Sequence, residues 1–67
     1  MTQIVLNGAP CQVAAGQVLA DLIDALGLSE KAIAVAVNRH VIARPQWHAY
    51  LLQAQDQVDV VRAIGGG

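Results

Sequence analysis

The sequence predicts an α+β fold: a mixed sheet of four to five strands with one main helix packed on one face. Three observations carry this. Apolar residues alternate with period two at 2–6, 33–38 and 58–64, the pattern of half-buried strands. Between the first two of these stretches the period turns helical, at 18–26. The resulting order, β-β-α-β-β with room for one more small strand, fits 67 residues and a single core.

Each element has a local reason. In the first strand Thr2, Ile4 and Leu6 share one face, with Gln3 and Val5 on the other. Asn7-Gly8-Ala9-Pro10 reads as a turn, because Asn and Gly tolerate positive φ. A short second strand follows at 11–14, and Pro10 can open it if that strand lies at an edge. The helix carries the stripe Val18, Leu19, Leu22, Ile23 and Leu26, with Asp21 and Asp24 on the wet side. Gly27 sits where a left-handed C-cap belongs, whereas Gln17 is a poor N-cap.

Ile33, Val35 and Val37 point to one face of the next strand, and Ala34, Ala36 and Asn38 to the other. Asn38 to His40 reads as a tight turn into a short strand at 41–43. Pro45 and Trp47 suggest a helical turn within 44–55, and 53–57 is a polar turn. In the last strand Val58, Val60 and Ile64 face inward, and Asp59, Val61 and Ala63 outward. A helix after a hairpin must pack its stripe on a sheet face, and the economical closure sets the last strand beside the first. That is the β-grasp. A ferredoxin-like domain would need a second long helix, for which 44–55 has no stripe.

Composition excludes several functions. The chain is 55% hydrophobic but only 3% aromatic, too few rings for a base-stacking platform or an aromatic-lined pocket. A net charge of −1 does not track phosphates, so no nucleic acid is expected. No run approaches the ~20 apolar residues that span a bilayer, and no basic-then-apolar leader opens the chain. A single cysteine, Cys11, forms no internal disulfide and fits a reducing, cytoplasmic setting.

Catalytic constellations are equally sparse. Cys11 sits at a strand start without a neighbouring base, and His40 and His48 have no ligand-spaced partners, so no metal is expected. Asp21 and Asp24 share a solvated helix face rather than a cleft that would separate their pKa values. The glycines lie outside any phosphate-binding loop. The chain therefore reads as something other than an enzyme.

Two features remain. If the last two long strands are neighbours, Ala34, Ala36, Val61 and Ala63 form a flat apolar patch rimmed by Arg39, Arg44 and Arg62. Unless another segment covers it, such a patch is a docking site. The second feature is the glycine run Gly65, Gly66, Gly67, a tail beyond a domain at 1–64. Three extended glycines reach about 10 Å and can thread a channel too narrow for other residues. A carboxylate at the end is a poor electrophile until ATP converts it to an acyl-adenylate, which a sulfur or nitrogen nucleophile can capture.

On these residues the chain resembles the sulfur carrier proteins of thiamine biosynthesis, the ThiS-like, ubiquitin-like β-grasp family. The opening IVLNGAP, the helix stretch AAGQVLADLIDALGL, IAVAVNRHVIARPQW and the ending DQVDVVRAIGGG carry the resemblance over essentially the whole chain. Gln17, Ala43 and Gln55 depart from the family's usual Thr, Pro and Gly, all three away from the tail.

The resemblance implies a cycle in which the chain is a protein co-substrate. A ubiquitin-activating-like (ThiF-like) adenylyltransferase uses ATP to adenylate Gly67, and no cofactor is bound by the chain itself. Sulfur from a cysteine desulfurase makes a thiocarboxylate, which supplies a thiazole synthase (ThiG-like). Rival readings are a molybdopterin-synthase small subunit, a ubiquitin-like protein modifier and a TGS-type binding module.

Overall fold

The computed structural model describes residues 1–62, so the expectations for Ala63, Ile64 and the boundary at 64/65 lie outside the described residues. Five strands and one helix follow in the order β1 (Thr2–Leu6), β2 (Ala9–Val13), α1 (Leu19–Ala25), β3 (Ile33–Val37), β4 (His40–Ile42) and β5 (Gln57–Arg62). The spatial order is β2-β1-β5-β3-β4. β1 and β5 run parallel, and the other neighbours are antiparallel. The expected closure, last strand beside first, is the one observed.

Both hairpins turn in two residues. Asn7 (φ 49°) with Gly8 (φ 83°), and Asn38 (φ 52°) with Arg39 (φ 71°), occupy the left-handed region that a right-twisted hairpin demands at both turn positions. These turns are tighter than the sequence suggested. β2 therefore starts at Ala9 rather than residue 11, and β4 at His40 rather than residue 41. Pro10 lies on β2, an edge strand, where its missing N–H costs no ladder bond in the sheet interior.

The helix is shorter than its stripe. Leu19, Leu22 and Ile23 are buried, whereas Leu26 is the C-cap and 41% exposed. The N–H of Gly27 donates to Asp24 O (2.9 Å) and that of Leu28 to Ile23 O (3.1 Å), with Gly27 at φ 73°. This is a Schellman ending, and it turns the chain before Leu26 can reach the core. The weak N-cap is resolved by the backbone. Val18 makes no side-chain cap, and the N–H groups of Leu19 and Ala20 donate to the carbonyls of Tyr50 (2.8 Å) and Trp47 (3.0 Å). The irregular segment after β4 thus serves as the helix's cap.

Ile4, Val13, Val35, Val37, Trp47, Leu52 and Val58 complete the core with the three helix residues. Asp56, expected in a polar turn, is instead buried. Its carboxylate accepts from Asn38 Nδ2 (3.1 Å) and from the Gln53 N–H (2.9 Å), which satisfies the buried charge. Burial, with the Asp56 carboxylate second, pushes the Tyr50 hydroxyl above the ordinary tyrosine value.

Leu22→Ala should lower the unfolding free energy by about 2–4 kcal/mol, and Leu26→Ala by about 0.5 kcal/mol. Urea denaturation of the two variants checks this. Equal losses would mean that Leu26 belongs to the core after all.

Candidate functional site

The outer face of the β4–β3–β5 side of the sheet is where the expected patch falls. Ala34 pairs with Val61, so these two apolar side chains lie side by side, and Val61 is 63% exposed. Ala36 pairs with Asp59 across β5 and with Val41 across β4. Val41, 77% exposed, is the largest apolar contributor to this row, and the sequence reading missed it. The signal was present in the turn. A three-residue turn at 38–40 would set Val41 opposite Val37 on the core side. The two-residue Asn38-Arg39 turn sets it opposite Ala36 on the outer face. Ala63 lies outside the described residues.

The arginines do not form one rim. Arg62 pairs with Ile33 at one end of β3, while Arg39 lies in the turn past Val37 at the other. Arg44 is held separately. Its Nη1 donates to Ser29 O (2.6 Å), its Nη2 to Lys31 O (2.7 Å), and the guanidinium stacks 4.5 Å from the Trp47 ring centroid. Trp47 is in turn fixed by its Nε1 donating to Ile42 O (2.9 Å). Arg44 therefore ties the α1–β3 connection to the segment after β4.

An open concavity of about 260 Å³ lies where these parts meet, lined by Ala32, Ile33, Ala34, Arg44, Val61 and Arg62. Its walls are largely apolar, and it lies beside the end of β5, the strand that leads into residues 63–67. A second concavity of about 280 Å³, with Asp21, Asp24, Ser29, Trp47 and His48, lies across Arg44. Ser29 Oγ donates to Asp24 Oδ1 there (3.3 Å). Among the described residues no three His, Cys, Asp or Glu side chains are placed to hold a metal ion. Cys11 is free and half-buried on the edge strand β2. Among the described residues no helix is long and apolar enough to cross a membrane. Val41 and Val61 leave this face exposed, and Gly65, Gly66 and Gly67 follow β5 in the sequence outside the described residues.

One helix held by a mixed sheet with its last strand beside its first, bearing an exposed apolar outer face, defines a ubiquitin-like β-grasp domain. The crystal structure of a thiamine biosynthesis protein (ThiS) from Geobacter metallireducens superimposes with a TM-score of 0.84 at 26% identity, covering 98% of this chain and 100% of that one. The ThiS family model matches residues 4–67, and the chain belongs to that family.

Two relatives extend the comparison. The sulfur carrier protein ThiS of Escherichia coli (strain K12) is 34% identical over 65 residues, 97% of this chain and 98% of that protein. A thiazole synthase of Magnetococcus marinus is 42% identical over 65 residues, again 97% of this chain. The chain spans only 20% of that synthase's length.

Replacing Arg44 with Lys should cost about 1 kcal/mol, nearly as much as Arg44→Ala, because an ammonium cannot serve two carbonyls and a ring face together. The emission of the single Trp47 should shift in both variants. Full retention of stability in Arg44→Lys would show that charge alone suffices.

Proposed function

We propose that this chain is the sulfur carrier of thiazole formation in thiamine biosynthesis, a protein co-substrate rather than an enzyme. The observation that carries the reading is the match to the ThiS family over residues 4–67, which runs through the terminal glycines. The reading sets the sulfur on the α-carboxylate of Gly67, with that residue as the free end and Gly65 and Gly66 as the narrow stem. The carboxylate attacks the α-phosphorus of ATP, and pyrophosphate leaves. A persulfide sulfur then attacks the carbonyl of the acyl-adenylate and AMP leaves; a second thiol cleaves the resulting acyl disulfide, releasing the thiocarboxylate and forming a disulfide with the sulfur donor.

The first step belongs to a ThiF-like adenylyltransferase, which binds the Mg-ATP. The sulfur comes ultimately from a cysteine desulfurase, and a ThiG-like thiazole synthase consumes the thiocarboxylate. The Magnetococcus thiazole synthase supports that partner, since about a fifth of its length is similar to this chain. It also favours thiazole formation over the molybdopterin rival. The docking face in this reading is Ala34, Ala36, Val61 and Ala63, joined by Val41, with Arg39 and Arg62 at its two ends and Arg44 at the concavity. Apolar contact supplies the binding, and the arginines orient an acidic partner. The cycle runs in the cytoplasm, where Cys11 stays reduced.

Incubation with a cognate adenylyltransferase, ATP and a sulfur donor should add about 16 Da to the intact mass, one oxygen exchanged for sulfur. Deleting Gly66 and Gly67 should abolish the gain, and Val61→Asp should slow it by at least about tenfold through weaker docking. A mass gain that survives the deletion would refute the assignment, and covalent conjugates to other proteins would favour a modifier.

A further inference from the structure

β1 and β5 pair over only two registers, Val5 with Gln57 and Leu6 with Val58. After Leu6 the first strand turns away into its hairpin, so the rest of β5 loses its backbone neighbour on that side. The break is bridged by a side chain. The Asn7 backbone N–H donates to Val58 O (2.9 Å), and Asn7 Oδ1 accepts the Val60 N–H (2.8 Å). A β1 that continued straight would present a backbone carbonyl to Val60. Asn7 supplies the equivalent acceptor while its own backbone, at φ 49°, makes the turn.

The geometry points to Asn7 as a positioning residue for the terminal segment: its side-chain carbonyl latches Val60 and so holds the strand that leads to the glycines. This rests on the carrier reading. Val61 and Arg62 pair with β3 alone among the described strands, and a strand end held on one side lies at the low-stability limit of a fold. Without the latch, the stretch from Val60 to Arg62 is held by β3 alone and opens more often. Each opening adds Val60, Val61 and Arg62 to the chain that a partner must order to receive Gly67, which dilutes the carboxylate at its active centre. Val61 and Arg62 belong to the docking face too, so presentation and docking weaken together while Ala34, Ala36 and Val41 keep their places.

Asn7→Gly isolates the acceptor, because glycine keeps the positive φ. Asn7→Asp restores an acceptor and still tolerates the left-handed region. Asn38→Gly is the structural control. It removes the bond at the other end of β5, where Asn38 Oδ1 accepts the Gln57 N–H (3.0 Å), together with the Asn38 Nδ2 donation to Asp56 (3.1 Å), and leaves Val60 latched.

In the full-length chain, Asn7→Gly should speed amide exchange at Val60 about tenfold relative to Val35. With the chain as substrate of its adenylyltransferase, kcat should fall about three- to tenfold and KM should rise as Val61 is loosened. Asn7→Asp should recover both, and Asn38→Gly should lower stability without lowering kcat. Equal kcat losses in the two glycine variants, unchanged exchange at Val60, or failure of Asp to rescue would each overturn the proposal. Adenylation of the unaltered chain with indistinguishable kcat values in the variants would overturn it alone. An unaltered chain that is never adenylated would overturn the carrier reading and this proposal with it.

Discussion

The rest of the structure depends on how β5 is held, because this last of the described strands is the middle strand of the sheet. Two asparagine carbonyls grip it, one near each end: Asn38 on the Gln57 N–H and Asn7 on the Val60 N–H. Each asparagine also makes a hairpin turn at positive φ. Asparagine suits both demands, since its short amide tolerates the left-handed backbone and can stand in for a peptide carbonyl. Two local turns thereby become long-range connections, and Asp56 strengthens one of them by accepting from Asn38 while buried against the core. The sheet order and the inward aim of Val58 follow from this arrangement.

Much of this was legible. The alternation in β1, β3 and β5, the helical stripe through Leu19, Leu22 and Ile23, and the glycine ending at Gly27 are local patterns, and all are found where their periods put them. What stayed hidden involves residues far apart in the chain. The side chain of Asn7 points at a partner 53 positions away, and no local propensity announces that. Asp56 looks like a turn residue until Asn38 and Gln53 are seen to satisfy it. The helix cap was sought in side chains near Gln17 and found in the carbonyls of Trp47 and Tyr50.

The candidate site followed the same division. Ala34 and Val61 were readable as outward-facing, and their strands are neighbours as the patch requires. Val41 was not readable, because a single residue of turn length decides which face it joins. Arg44 looked like one of three similar rim charges. Its planar fork instead serves two carbonyls beside a tryptophan, a geometry that charge counting does not reveal. The platform beside the end of β5 is thus braced from beneath by a residue first read as part of its edge.

Placing β5, the latest of the described strands, at the centre of the sheet also affects how this domain forms during synthesis. A nascent chain that stops before Gln57 holds two unjoined hairpins and a helix with no continuous sheet beneath it. Val58, with no exposed surface in the finished fold, is then missing from the core, and Val61 from the outer face. Products that end before Gln57 therefore lack both a continuous sheet and its outer apolar row, so exposure of that row depends on translation having passed through β5.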